Sequence, residues 1–502
     1  MASANFKPAK TSNSRVFMVE GRARGDHAPT YHSFIRMTGL SQGFGDVEKI
    51  EVPDPRQYGK FIEVGSIRGA TERPTASLEG RYAMDLQSDL FRLAGKNCAV
   101  DIQIHLGSCQ DPSSFNKFDK AIVMENVIIT QYGTDDLGAL SSDDTAAINE
   151  TVDISGTRIY EIVPLGFSTP GGDVITNEII DVVIADSITC GECDDESDGA
   201  SKIYAISKAA GGSGGTSPDI IYSTDKGITW YAYDIDTLTS TQDPTGIAAI
   251  NEYIVVTCAA ANSLSYCYKT DLKGVTPPSW TEITTGFVAT YTPNAITSSG
   301  NKAYIVGNLG AIYMTEDPTS GVTAVSLGTY ITDKLLAVHS SNEDVAVAVG
   351  EDGAVVFTIN GTTWATATRP VGGGVHLNCV YTKSDKEWYV GTSNGKMYYT
   401  VNQGVTWAEK AFPGSGSGSV RDIVGATDSV MYMAHTTAAT AGRILRSYNG
   451  GNSWVVMPEN TGVIPVSDHI AALACSYDDP NMVVGVGLAG DGTDGIIVLG
   501  TI

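Results

Sequence analysis

A short phrase recurs along the second half of this chain and restricts what it can fold into. Its clearest copy is Lys396-Met-Tyr-Tyr-Thr-Val-Asn-Gln-Gly-Val-Thr-Trp407: an alternating strand, an Asn-Gln-Gly turn, and a second strand opening on Val-Thr-Trp. Alternating β-branched and aromatic residues around an Asn/Gly pair form the pattern of a β-hairpin. The phrase returns at Ile221–Trp230, Val355–Trp364 and Ile444–Trp454. Two copies are degraded: Tyr266–Trp280, where Pro277-Pro278 lengthens the turn, and Ile312–Ala324, where the Trp is lost. The Trp residues that end the phrase stand 50, 84, 43 and 47 positions apart, the 84 spanning two units. Units of this length holding four strands each mark a β-propeller, whose blades bury their faces only against one another.

Leu335–His339, Val345–Gly350, Ala354–Ile359 and Thr363–Thr368 read as one such unit, and Val375–Tyr381, Trp388–Gly391, Lys396–Val401 and Val405–Lys410 as the next. A last unit, His469–Ile502, shows only three strands: Ile470–Cys475, Met482–Val486 and Ile496–Leu499. A ring closes by borrowing the missing strand from the other end. The reading is therefore seven blades over about 176–502, closed by a strand near Val174–Asn177 or Arg158–Leu165.

The wording Ser/Thr-x-Asp/Asn-x-Gly-x-Thr-Trp resembles the Asp-box (BNR) repeat of sialidases and of sortilin-like and photosystem-assembly propellers. Its residues here are Asp225, Gly227, Trp230, Asn360, Gly361, Trp364, Asn402, Gly404, Trp407, Asn449, Gly451 and Trp454. Their expected work is structural. The Asp or Asn side chain accepts backbone N–H bonds across the turn, Gly takes a positive φ, and Trp packs between adjacent blades. Such a turn specifies a fold and no activity.

Charge divides the chain. Residues 1–165 carry 22 acids and 17 bases, with ten of the fourteen arginines; the remainder carries 35 acids and 15 bases. The expected organisation is an extended arm over 1–30, a β-sandwich with one short helix over 31–165, a linker over 166–178 and the propeller over 179–502. In the sandwich, Cys98–Leu106 and Ala121–Tyr132 alternate as strands, and Glu150–Ile154 with Arg158–Pro164 reads as a closing hairpin. Asp85–Gly95 places Leu86, Leu90, Leu93 and Ala94 on one helical face, with Asp85 and Gly95 as caps. Fold class is all-β throughout apart from that helix.

The arm, the hairpin-like Lys49–Val64 segment, Glu72–Tyr82 and Ile128-Ile-Thr-Gln-Tyr-Gly-Thr-Asp-Asp-Leu-Gly-Ala-Leu140 resemble tail tube proteins of long-tailed phages. That resemblance implies hexameric rings stacked into a tube that conducts DNA without binding it specifically. The arm and the 49–64 segment would bridge rings, and the propeller would be displayed outward to cover the tube or to meet a host-surface glycan or protein. Such a protein is made in the host cytoplasm and resides in the virion tail. The alternative is a non-enzymatic propeller binding module with an N-terminal docking domain, and the third reading is a glycosidase.

Other features narrow the chemistry. A net charge of −25 argues against wrapping nucleic acid on an outer surface. No apolar run is long enough to span a membrane, the first residues lack the apolar core of a secretory signal, and eight cysteines in 502 residues are too sparse for a disulfide scaffold. A sialidase needs three converging arginines. The propeller has only Arg369, Arg421, Arg443 and Arg446, with Arg443 read on the same face as Arg446. Cys190 and Cys193 form the one CxxC, open to a local disulfide, a metal or redox role, or inert thiols. Asp194, Glu196 and Asp198 match the first half of a calcium loop, but the twelfth position is Ala205; they are candidate cation contacts against the plainer reading of a solvated acidic loop. No catalytic residue, resident metal or cofactor is expected. Arg24-Gly25-Asp26 is an adhesion-type tripeptide that chance also produces, and Tyr231, Tyr233 and Tyr398 could contact a sugar or simply pack a blade.

Overall fold

A computed structural model of the chain describes residues 15–20, 30–43, 48–53, 61–67, 74–81, 100–106, 120–134, 149–163, 165–169, 177–185, 202–208, 218–238, 243–259, 262–272, 278–437, 442–457, 469–477, 479–488 and 495–501. It divides into two compact units, Met1–Pro164 and Leu165–Ile502. Among the described residues both are β-structure without an α-helix; the only helical turns are single 3-10 turns such as Pro318–Ser320.

In the first unit six antiparallel strands close on themselves. Arg15–Glu20 pairs with Thr30–Gly43, which pairs with Thr75–Arg81. Asn149–Ser155, Lys120–Thr134 and Val100–Leu106 follow in turn, and the last returns to Arg15–Glu20. Two long strands make this possible. Thr30–Gly43 pairs first with one neighbour and then, past Ile35, with another; Lys120–Thr134 does the same after Val127. Strands that change partner along their length make the corners of a sandwich. Alternate residues fill the inside: Leu78, Ile102, Ile104, Met124, Val152 and Ile154. Glu48–Pro53 and Phe61–Ile67 form a separate hairpin.

The expected closing hairpin is not formed. Asn149–Ser155 and Arg158–Ile162 both pair with Lys120–Thr134, the first along its second half and the second along its first half. The bend in the long strand separates them, and Gly156 N–H on Pro74 O with Thr157 N–H on Glu125 O fixes the crossing between them. The expected helix at 85–95 and the Arg24–Asp26 tripeptide lie outside the described residues.

The second unit is a propeller of seven four-stranded antiparallel sheets. Blade 1 begins at Ile179–Ala185, blade 2 at Pro244–Ile250, blade 3 at Pro293–Ser299, blade 4 at Leu335–Ser340, blade 5 at Leu377–Thr382, blade 6 at Ser419–Gly425 and blade 7 at His469–Cys475. Blade 7 holds only three strands from the C-terminal end, and its outermost strand is Gly166–Ser168, paired with Leu499–Thr501. The closing strand thus lies between the two stretches that sequence pattern favoured, inside a segment read as linker. Three residues carry too little periodicity to be seen.

The repeated turn explains the spacing of the blades. In blade 5, Thr400 Oγ1 donates to Asn402 Oδ1 at 2.9 Å, Thr406 N–H donates to the same oxygen at 3.0 Å, and Gly404 N–H donates to Thr400 Oγ1 at 3.0 Å. Ser223, Asp225, Gly227 and Thr229 repeat the arrangement in blade 1, and Ser447, Asn449, Gly451 and Ser453 in blade 6. The turn of blade 4 is one residue shorter, and Asn360 Oδ1 accepts from Thr362 and Thr363 instead. Gly404 sits at φ +71, where an added Cβ would stand 2.6 Å from Ala367 Cβ, so position and conformation both require glycine. In blade 3 Asp317 caps a different turn, accepting from Thr319 N–H. The aromatic side chains bridge blades: Trp364 of blade 4 stands edge-on to Tyr304 of blade 3 at 5.7 Å, and Trp454 of blade 6 is buried with Tyr389 and Met397 of blade 5.

Ring closure by so short a strand makes a direct prediction. A fragment starting at Asn177 should melt about 5 °C or more below one starting at Leu165, as expected for loss of an edge strand from a domain of this size. Equal melting temperatures in scanning calorimetry would show that Gly166–Ser168 does not hold the ring.

Candidate functional site at the channel mouth

Each blade contributes its first strand to the wall of a central channel, a cavity of about 380 Å³ lined by residues of all seven. All seven first strands carry a register shift at the same place, after Ile179, Pro244, Pro293, Leu335, Leu377, Val420 and Ile470. A bulge bends a strand and leaves a residue out of the ladder. The seven residues so released are Ile180, Thr245, Asn294, Leu336, Asn378, Arg421 and Ala471, and all of them line the channel.

The first strand is also a sheet edge, with half of its N–H groups unpaired within the blade. Polar residues at or beside the bulge reach into the next blade and pair with it. Asp181 Oδ2 accepts from Ile247 N–H at 2.9 Å, and Asp422 Oδ2 accepts from Leu473 N–H at 2.8 Å. Asn294 Nδ2 donates to Leu335 O at 2.9 Å and Asn378 Nδ2 to Val420 O at 3.0 Å. The other oxygens of the two carboxylates accept from Val182 and Ile423 N–H. These two acids are the strongest candidates for chemistry by environment, yet each is spent as a cap on the backbone. Burial pushes Asp181 up to about 7, the charge of Asp422 adding to the effect, and burial pushes Asp422 up to about 6. His339 faces the same channel and is held down to about 4 by burial.

The two ends of the propeller differ. The repeated turns lie at the end of the hairpin between first and second strands: Gly361 N–H donates to Asp344 O, Gln403 N–H to Lys386 O and Gly450 N–H to Ser429 O. At the other end lie the loops between blades and the turns between second and third strands. Three of the four propeller arginines stand there. Arg369 is paired, its Nη2 2.5 Å from Asp333 Oδ2 and its Nη1 2.8 Å from Asp352 O. Arg421 is exposed at the channel mouth and makes no ion pair or hydrogen bond among the described residues. Arg443 donates from Nε to His435 Nδ1 at 3.0 Å and likewise makes no ion pair there. Beside them His469 Nε2 lies 3.2 Å from Glu178 Oε1, and that contact holds Glu178 below its ordinary value.

Arg446 belongs to the packing. It is fully buried, stacked on Tyr432 and Tyr448, and its Nη2 donates to Asn481 Oδ1 at 3.0 Å. Arg443 and Arg446 are three residues apart on one strand, which alternation places on opposite faces, so the expectation that they face together is corrected. Arg369, Arg443 and Arg446 hold separate partners and Arg421 bonds to none of the described residues, so the four do not form a carboxylate-binding triad. Tyr231 and Tyr233 stack on Tyr222 within blade 1, and Tyr398 donates to Glu409. Cys190, Cys193, Asp194, Glu196 and Asp198 lie outside the described residues, and among the described residues no three His, Cys, Asp or Glu gather as metal ligands. The role of Asp181, Asp422 and the paired asparagines was missed from sequence; each lies within the first four residues of an inner strand, at or just after the bulge, a position visible only once the blades are aligned.

Residues 342–495 match the DUF6242 beta propeller domain family. Among solved structures, the chain is similar to YCF48 from Cyanidioschyzon merolae, at 13% identity over 67% of this chain and 99% of that one, with a TM-score of 0.50. It is also similar to YCF48 bound to D1 peptide, at 16% identity over 68% and 96% with a TM-score of 0.49, and to the RRP9 WD40 repeats, at 10% identity over 67% and 97% with a TM-score of 0.48. No curated protein matches the chain. At these identities the likeness shows the propeller fold alone, and none of the matches supports the tail-tube or Asp-box resemblances.

The buried carboxyls give stability a pH dependence of known sign. A carboxyl raised from 3.8 to about 7 binds its proton more tightly folded than unfolded, so its contribution is lost as pH rises through that window and levels off above it. His339, lowered from 6.5 to about 4, slopes the opposite way, so only a difference isolates the acid. The melting temperature of Asp181→Asn minus that of wild type should climb between about pH 4 and 7. A difference independent of pH would show that Asp181 titrates normally.

Proposed function

We propose that this protein is a non-enzymatic binding module whose propeller docks a partner on the face formed by the loops between blades. One observation carries the reading. In a propeller where acids exceed bases by twenty, Arg421 and Arg443 of a single blade form no ion pair among the described residues, the charge of Arg421 reaching the Glu178 carboxylate only through space. An unpaired guanidinium among so many acids is available for a partner, and arginine is the charged residue most enriched in interfaces. The partner therefore presents acidic groups to the channel mouth. The geometry of the channel supports a binding reading over a catalytic one, because its two raised carboxylates are engaged by backbone N–H groups on both oxygens. A glutamate-rich peptide should bind the full chain, and Arg421→Glu should weaken it about tenfold or more in fluorescence anisotropy, as reversal of a contact charge does. Equal binding by the variant, or a lysine-rich peptide behaving identically, would refute the docking face.

A second reading keeps the N-terminal unit as an assembly domain of a virion tail tube, with DNA in the lumen and the propeller outward. What favours it is a closed six-stranded sheet with a separate pair of strands, Glu48–Pro53 and Phe61–Ile67, where the resemblance expects a hairpin. Electron microscopy of concentrated protein should then show tubes of regular repeat, and isolated particles at every salt concentration would remove this reading.

A further inference from the structure

Blade 6 departs from the other six at one place where the repeat has no need of it. The second-strand residue opposite the start of the bulge is Ser207, Cys258, Gly307, Gly350, Thr392 and Gly487 in the other blades; here it is His435, which is 1% exposed. The fold therefore asks for a small residue at this position and receives an imidazole. Directly across the ladder from His435 stands Arg443.

The imidazole is held on both sides. Its Nε2 lies 2.8 Å from Ser417 O and its ring stands edge-on to Phe412 at 5.2 Å. Arg443 Nε donates to Nδ1, so Nδ1 is an acceptor and the ring is the neutral tautomer with its proton on Nε2. Burial, with the Arg443 charge, keeps it so. A neutral histidine orients a guanidinium without cancelling its charge, unlike the Asp333 that neutralises Arg369. The guanidinium lies over Gly414, where an added Cβ would fall on Arg443 Nη2.

Gly414 opens the loop Pro413-Gly-Ser-Gly-Ser-Gly-Ser419, in which Gly414, Gly416 and Gly418 take φ values of +88, +83 and +75. Left-handed residues at alternate positions turn neighbouring N–H groups toward a common side, the backbone arrangement that holds anions. Ser415 and Gly416 N–H are used by Phe412 O and Gly395 O, while Gly414, Ser417 and Gly418 N–H donate to no acceptor among the described residues. A forked guanidinium beside such a loop matches a group with several oxygens in three dimensions better than a flat carboxylate.

We propose that Arg443, held by His435 above the Pro413–Ser419 loop, is a binding site for a phosphoryl or other tetrahedral oxyanion group. The site deepens the docking reading above by naming the chemistry of one anchoring group, and it rests on that reading only for its biological partner. The test is calorimetric titration of the full chain with inorganic phosphate at constant ionic strength. Saturable binding is expected, with sulfate comparable and acetate about tenfold weaker, since a flat carboxylate meets fewer of the donors. Arg443→Ala should lose about tenfold or more, Gly414→Ala should do the same by displacing the guanidinium, and Arg369→Ala, which removes an arginine already ion-paired, should retain binding. Should Arg443→Ala fail to fold, the Gly414→Ala variant and Arg443→Lys, which keeps the charge and loses the fork, decide the matter. No phosphate binding by wild type, full binding by the Gly414 and Arg443 variants, or equal loss in Arg369→Ala overturns the site. If phosphate binds as stated while the acidic peptide does not, the docking reading fails and this site stands; the reverse result removes this site alone.

Discussion

A four-stranded blade has two apolar faces and no means of covering either, and every feature of the propeller follows from that. Tyr204 and Tyr222 of blade 1 are buried against Ile247, Ile254 and Val256 of blade 2; Trp388 of blade 5 is buried against Val347 and Val349 of blade 4. A row of blades would always leave its two end faces bare, so the apolar term is complete only in a closed ring. Closure in turn confines seven sheet edges to a narrow channel, where water is scarce and unpaired N–H groups are costly. The side chains of Asp181, Asn294, Asn378 and Asp422 answer that cost by bonding to the neighbouring blade. The raised pKa values of the two carboxyls are a by-product of their place in the wall.

The repeat was readable because the turn is a local device. A hydroxyl, an Asx side chain and a left-handed glycine within five residues form the same bonds in blades 1, 5 and 6, so the wording survives while the strands around it drift. What depends on partners far away in sequence was not readable. The closing strand is set by Leu499–Thr501, more than three hundred residues away, and carries no pattern of its own. The pairing of Arg158–Ile162 is set by a bend in a fifteen-residue strand that sequence alternation treats as straight. The channel acids were hidden for the same reason: a bulge shifts them by one place, and alternation counted from either end assigns them to the wrong face.

The arginines show the same division from the side of function. Fold-level reasoning weighed them as a catalytic set, and the geometry separates them into one buried packing residue, one ion-paired residue and two at the mouth that form no ion pair among the described residues. Only the blade-by-blade alignment reveals that His435 replaces a small residue. Comparison of a repeat with itself is thus a source of functional signal, because the copies share a structural duty and any costly exception serves something else.

The strand Arg158–Ile162 ends the sheet of the first unit, and the ring's closing strand begins at Gly166. Three residues, Val163 to Leu165, are all that separate them. Any pull transmitted along the chain from the first unit therefore arrives at the propeller on its fastening, before it reaches any blade. Because Gly166–Ser168 is the outermost strand of blade 7, such a load peels a short edge away and would open the ring at one defined seam, leaving six blades whole. The chain joins its two units at the short strand that closes the ring.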